Sequence, residues 1–333
     1  MRLLPKQRNK NFLSNFIAIL LLLGIISITL LSIGSSLVWN FYLELASHFK
    51  VQYLITTIIL AFLLSINRKR AFVIIALFWI LLNAGEVIHW YIPQSTVGHQ
   101  SPNKIRVLLV NINTKNNNYE QVISLVRKEK PDVAVFLELD EFWANQLQSI
   151  NDILPYAVGR ANPDNMGIAV YSKRPLEKPN IKFLGSSNNA SVVGDLLINK
   201  QAISLVATHP MPPIKPELLL STKQQLNAIS GYVKQLKQPI LIIGDLNTTM
   251  WSPSYKNFIN KTGLRNARQG FGILPTWPTE AKFSPIKPPL SWLLLIPIDH
   301  FLISPEIKVL NVRTGTNVGS DHLPLIADLV LDK

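Results

Sequence analysis

Six apolar stretches of this chain each carry or adjoin a side chain able to hold a cation or a phosphate. These side chains are Asn111, Glu138, His209, Asp245 with Asn247, Asp299, and the pair Asp321-His322. Carboxylate and amide oxygens are hard ligands that suit Mg2+, Mn2+ or Ca2+ better than zinc. The chain has no cysteine, which excludes disulfides, thiolate metal sites and a Cys nucleophile. Each residue also has a plainer reading. Gly244-Asp245-Leu246-Asn247 is a run of turn formers, and Ser320-Asp321-His322 suits a loop or cap. Asn111 suits a turn, and His209, between Thr208 and Pro210, suits a structural histidine. Glu138 lies in an apolar run where a lone carboxylate is costly to bury, so its alternative is an internal salt bridge. Strand ends on one edge of packed sheets converge on a single cleft, and the joint occurrence argues for a shared site.

The elements that would position these residues are legible as short apolar runs. Ile105–Val110 and Asp132–Leu139 have the length and composition of buried strands. Between them, Tyr119–Lys130 has Val122, Ile123, Leu125 and Val126 at helical spacing, closed by Pro131. Ile168–Tyr171 reads as a short strand, and Leu196–Ile198 with Ala202–Ala207 as a hairpin around Asn199-Lys200. Leu218–Leu236 reads as a helix; Pro239–Ile243, Ile298–Ile303 and Leu325–Leu331 read as strands. Many strands with a few helices between them predict two packed sheets with helices outside. Lys282–Leu295 is unusually apolar just before Asp299; core is the favoured reading, and contact with a bilayer or lipid substrate the alternative.

The first hundred residues are of another kind. No charge falls between Asn11 and Leu43, nor within Val51–Asn67 or Ala71–Gly85. A spanning helix needs about 20 apolar residues. Phe16–Val38 and Ala71–Tyr91 satisfy this, the latter with interfacial Trp90 and Tyr91 at its end, while Val51–Asn67 is shorter. Glu86 reads as an interfacial carboxylate. Residues 1–100 carry eight Lys/Arg against two Asp/Glu, a net of +6 out of +13 for the chain. Arg2, Lys6, Arg8 and Lys10 precede the first segment, and Arg68-Lys69-Arg70 separates the second from the third. The positive-inside rule puts both clusters in the cytoplasm and, with three spans, everything after Tyr91 outside it; with two spans the side reverses. A cleaved signal peptide over residues 1–35 is the rival, but the apolar stretch is long and lacks an A-x-A site. The expected organisation is a membrane anchor over 1–92, a linker over 93–103 and a folded domain over 104–333.

The order Asn111, Glu138, His209, Gly244-Asp245-Leu246-Asn247, Ile298-Asp299-His300 and Ser320-Asp321-His322-Leu323-Pro324 resembles the endonuclease/exonuclease/phosphatase superfamily. Met166–Leu176 resembles that family's strand ending in Ser-x-x-Pro, and Thr276-Trp277 matches a further landmark. The resemblance covers Ile105–Leu331 and is similar to a membrane-anchored bacterial branch with an exported domain. It implies an α/β (α+β) four-layer sandwich, two packed mixed β-sheets flanked by helices, preceded here by an all-α transmembrane region. It implies Mg2+ (or Mn2+) held by Glu138, with Asn111 close by and Asp321 completing the shell. Asp245 would orient or deprotonate the attacking water, and Asn247 would hydrogen-bond a phosphoryl oxygen. His322, oriented by Asp299, would contact the phosphate or assist proton transfer, and His209 would sit on the leaving-group side or a phosphate oxygen. Leu137 stands where the family often has Gln, which removes a polar contact but no ligand.

The expected function is a phosphodiesterase or nuclease at the bacterial plasma membrane with its domain outside the cytoplasm. Its partners are a phosphoester substrate, nucleic acid or a phospholipid or small phosphoester, and the membrane itself. The alternatives are a phosphatase or sphingomyelinase-like enzyme on membrane phosphoesters, and an inactive membrane-anchored binding module.

Overall fold

The computed structural model describes residues 5–37, 40–66, 70–93, 103–186, 188–199, 201–237 and 239–331. Arg2, Arg68, Lys69, Lys200 and nearly all of the expected linker 93–103 lie outside the described residues. Two compact units are present: Met1–His89 with Trp251–Pro253, and Trp90–Met250 with Ser254–Lys333.

The first unit contains α1 (Pro5–Ser35), α2 (Phe41–Ala46), α3 (Lys50–Ile66) and α4 (Arg70–Ile88). Three helical stretches, Phe12–Ser35, Phe41–Ile66 and Arg70–Tyr91, are long and apolar enough to cross a membrane. The middle one gains length over the expected Val51–Asn67 because α2 and a short 3-10 turn run into α3. Ala18 and Ile25 of α1, Leu64 of α3 and Ala76 of α4 form a buried apolar cluster among the three stretches. The alanines among them, Ala18 and Ala76, are small enough to let helix backbones approach.

In the second unit, sheet one has the order β11 (Ile307–Thr314), β12 (Leu325–Leu331), β1 (Lys104–Asn111), β2 (Val133–Leu137), β4 (Ile168–Ser172), β3 (Tyr156–Arg160). Sheet two has the order β5 (Leu176–Phe183), β6 (Ala190–Ile198), β7 (Gln201–Thr208), β8 (Ile240–Asp245), β10 (Asp299–Ile303), β9 (Arg265–Asn266). Both are mixed, with β1–β2 and β7–β8 parallel and their other neighbours antiparallel. The period-two alternation of strands sends Ile105, Val107 and Leu109 toward the layer between the sheets, where Leu205, Leu241 and Phe301 meet them. Leu108 and Val110 face the other way, onto Val122, Leu125 and Val126 of α5 (Tyr119–Glu129) and Trp143 of α6 (Glu141–Gln146). Two sheets flanked by helices make the four-layer α/β sandwich that the sequence resemblance implied. Burial on both faces is why β1, β2 and β8 read as continuous apolar runs.

Register brings the polar strand ends to one edge. β1 and β2 run parallel with Asn111 opposite Leu137, so Glu138 follows directly. β7 and β8 run parallel, so Thr208-His209 and Gly244-Asp245 end together. β10 runs antiparallel and starts with Asp299 opposite Asp245. β12 is antiparallel to β1, with Leu325 opposite Leu109, which sets the preceding Asp321-His322 at the same edge. Gly244 is required there: a Cβ at this position would lie 1.9 Å from the Thr208 carbonyl oxygen. Gly244→Ala is therefore expected to cost about 3 kcal/mol or more through overpacking, read as a thermal midpoint lowered by about 6 °C or more. An unchanged melt would show that the β7–β8 contact can yield.

Candidate active site

Asn111 and Glu138 meet first. The Asn111 side-chain amide donates to Glu138 Oε1 at 2.8 Å and to Asp245 Oδ2 at 3.2 Å, and lies 3.4 Å from His322 Nε2. Glu138 stands one residue past β2 with φ +58°, a left-handed backbone that costs a bulky residue on the order of 1–3 kcal/mol. Its own N–H donates to Gly167 O at 2.8 Å. A Cβ on Gly167 would fall 1.8 Å from the Leu139 carbonyl oxygen, so the Met166-Gly167 pair admits the turn that aims Glu138. An apolar strand followed by a residue that must leave it explains why Glu138 reads as part of the run.

On the second sheet, Asp245 Oδ1 accepts from the Asn247 backbone N–H at 2.7 Å, an Asx turn. That turn puts Asn247 at φ +50° and carries its amide back to Pro210 O, 2.9 Å, and His209 Nε2, 3.2 Å. His209 Nε2 lies 3.8 Å from Glu138 Oε1 and 3.7 Å from Asp245 Oδ2. Burial, and then the nearby His322, press His209 down to about 4. It is a neutral imidazole accepting from Asn247.

His322 has the opposite character. Burial opposes its charge, but Asp299 beside it, with Asp245 and Asp321 behind, outweighs that and raises it to about 10. Its Nδ1–H donates to Asp299 Oδ2 at 2.8 Å, and its Nε2 points to Asp245 Oδ2 at 3.6 Å. Asp299 is itself buried, yet the His322 charge and hydrogen bond keep it below the ordinary carboxylate range. The buried Arg268 guanidinium donates to the Asp299 carbonyl oxygen. His300, next in the chain, is structural. Its ring nitrogens meet Asn266 at 2.9 Å and Thr248 O at 2.8 Å, tying β10 to the loop after Asn247.

Asp321 stands beside the cluster. Its two carboxylate oxygens accept from Asn113 Nδ2 at 3.0 Å and Trp277 Nε1 at 3.2 Å. Sequence reasoning missed Asn113 as a contributor; the signal was the second amide of Asn111-Ile112-Asn113. It also missed Ser320, whose hydroxyl donates to Asn111 O at 2.7 Å and accepts from the His322 N–H at 3.1 Å. Ser320 fastens the two sheet-one segments of the site together.

The residues fit a divalent cation. One oxygen each of Glu138 and Asp245 lie within 4.8 Å of each other and of a His322 nitrogen, and that ring, when protonated, faces the carboxylates as a cation and not as a ligand. Asn111 Oδ1 and Glu138 Oε2 are buried acceptors with no hydrogen-bond partner among the described residues, a condition that a cation relieves. Burial first, with Asp321 and Asp299 adding to it against His322 and Asn111, lifts Glu138 to about 7. Burial and Asp299 push Asp245 well above the ordinary range. A cation held by the Glu138 carboxylate would then displace its proton. Affinity for Mg2+ or Mn2+ is expected to rise about ten-fold per pH unit up to about pH 7 and to level off above it. Titration calorimetry of the full chain across that range, with proton release read from buffer dependence, checks this; a flat affinity contradicts it.

Comparison with known proteins agrees with this architecture. Residues 108–322 match the endonuclease/exonuclease/phosphatase family. The D. rerio TDP2 structure complexed with single strand DNA product superposes with TM-score 0.57 at 13% identity, covering 68% of this chain and 98% of that one. The human Nocturnin catalytic domain with bound sulfate gives TM-score 0.55 at 15% identity, covering 70% and 96%. An endonuclease/exonuclease/phosphatase from Beutenbergia cavernae DSM 12333 gives 0.54 at 18%, covering 69% and 72%. No curated protein matches the chain. At these identities the solved structures share the fold, while the family match spans the segment from β1 to His322: the chain belongs to the endonuclease/exonuclease/phosphatase family.

Proposed function

We propose that this protein is a divalent-metal-dependent phosphoester hydrolase, by preference a phosphodiesterase or nuclease, held at a bacterial plasma membrane by residues 1–92. The domain of residues 104–333 would then work outside the cytoplasm. The observation that carries the reading is the pair of unpartnered buried acceptors on Asn111 and Glu138, set against Asp245 and His322. Glu138 and Asn111, with Asp321 nearby, would hold Mg2+ or Mn2+. A cation there supplies charge neutralisation at the phosphoryl and leaving oxygens. Asp245 would orient the attacking water and take its proton. Asn247 would donate to a phosphoryl oxygen, and His209 would face the leaving group or a phosphate oxygen. His322, kept protonated by Asp299, would contact the developing charge and supply a proton to the leaving oxygen. Water attacks phosphorus in line, and no covalent intermediate is needed.

The single strand DNA product in the TDP2 structure supports a nucleic-acid substrate. A second reading, a phosphatase or sphingomyelinase-like enzyme on membrane phosphoesters, is favoured by Trp292, which stands exposed rather than in the core. The full chain with Mg2+ or Mn2+ should release product from nucleic acid or from phosphoinositide or sphingomyelin vesicles, and the panel separates the two. Failure on every generic phosphoester would favour a binding module. Activity of a C-terminal reporter in the cytoplasm alone would overturn the three-span topology.

A further inference from the structure

Lys282–Leu295 does not join the core as its composition predicts. Ser291 is buried, but its neighbours Leu290, Trp292 and Leu293 are 51%, 64% and 63% exposed. They form a short turn of helix, Leu290–Leu293, at the tip of an excursion rooted at both ends on the site. At its start the Thr279 N–H donates to Asp321 O at 2.8 Å, and at its end Ile296 pairs with Trp277, whose indole donates to the Asp321 carboxylate. Burying Leu290, Trp292 and Leu293 within the domain would have removed apolar area from water. Instead the chain returns to Ile296 with that area presented outward.

The pattern extends beyond the tip. From Lys104 onward, eight large apolar side chains are exposed among the described residues, and six lie on segments that join the sheets at the catalytic edge. Phe142 follows β2, Ile214 and Leu220 follow β7, and Leu290, Trp292 and Leu293 precede β10. Exposed Lys282 and Lys287 precede the tip, the Lys287 ammonium donating to the Ala281 and Lys282 carbonyl oxygens. Single exposed apolar residues need no explanation, but concentration on one edge does. Tryptophan and leucine beside lysine is a composition that enters a bilayer interface. The same chain carries three helices long and apolar enough to cross a membrane, so an anchored domain meets a lipid surface throughout its life.

We propose that the catalytic edge of the domain docks on an anionic bilayer surface, with Leu290, Trp292 and Leu293 entering the interface. Docking by this edge aims the cleft at phosphoesters presented by the membrane. That consequence rests on the hydrolase reading, whereas docking does not, so its test reads depth rather than turnover.

Because the chain has no cysteine, Leu293→Cys supplies a unique labelling site, with Lys237→Cys at an exposed position elsewhere as the reference. Each full-length variant, labelled with a nitrobenzoxadiazole probe, is reconstituted in vesicles of phosphatidylethanolamine and phosphatidylglycerol. The label at position 293 is expected about 5–10 Å into the interface. There it is quenched by lipid-borne doxyl groups and protected from aqueous iodide, while the label at 237 shows the reverse. Iodide quenching at 293 equal to that at 237 overturns the proposal. Protection from iodide without doxyl quenching also overturns it, because a second copy or another protein surface then covers the tip. Failure of every hydrolase assay would leave a positive depth measurement standing, so the two failures are distinguishable.

Discussion

Glu138→Gln is expected to lower kcat/KM by about 10^3-fold or more, a loss of about 4 kcal/mol of transition-state stabilisation. The substitution keeps the shape and removes the charge. Glutamine also offers Asn111 an acceptor, so the 2.8 Å contact can persist. What disappears is the anionic oxygen that no group among the described residues satisfies. Metal affinity should fall with activity, measured by calorimetry on the same preparation. Stability should move the other way. The folded carboxyl titrates near 7 rather than 4.5, so between those values the native state binds more protons than the unfolded chain. Metal-free stability therefore falls as pH rises through that window, by about 3 kcal/mol in total. Glutamine cannot ionise and escapes that penalty. A metal-free variant that melts higher above pH 7 while losing activity would identify Glu138 as a residue held against its own stability for function. A variant as active as the natural chain would remove Glu138 from the site.

His322→Ala is expected to cost about 10^2–10^4-fold in kcat, the range of a positioned acid or base. Asp299→Asn tests the same pair from behind. In the natural chain the Asp299 carboxylate holds His322 protonated up to about pH 10. With asparagine the burial that opposes the charge remains, while its largest support is gone. The imidazole then loses its proton at lower pH. The alkaline limb of the pH–rate profile should move toward acid by a comparable amount, with activity partly recovered at low pH. A merely structural role for Asp299 would lower activity evenly across pH. The double variant should lose little more than His322→Ala alone, because Asp299 acts through the imidazole.

Legibility in the sequence followed position in the sheets. The central strands β1, β2, β7, β8, β10 and β12 are buried on both faces, so each appears as an apolar run. The edge strands β3, β5, β9 and β11 passed unnoticed. β5 contains Pro179 and a register shift between Glu177 and Asn180, and such features are tolerated only at an edge. β3 and most of β5 face solvent, so neither periodicity nor composition marked them.

By itself the sequence determined which residues could form the site, because buried strands can end in carboxylates, amides and imidazoles only where something compensates them. It also determined the order of the motifs and the apolar character of the first hundred residues. Only the tertiary structure decided how those residues share the work. Parallel and antiparallel register set Glu138, Asp245 and His322 together and turned Asp321 toward Asn113 and Trp277. It decided that buried His209 is neutral and buried His322 protonated, since burial opposes charge in both and only the His322 ring hydrogen-bonds the Asp299 carboxylate. It also decided that Leu290, Trp292 and Leu293 face outward. Hydrophobicity is a property of the residue, whereas burial depends on what the rest of the chain has left to pack against it.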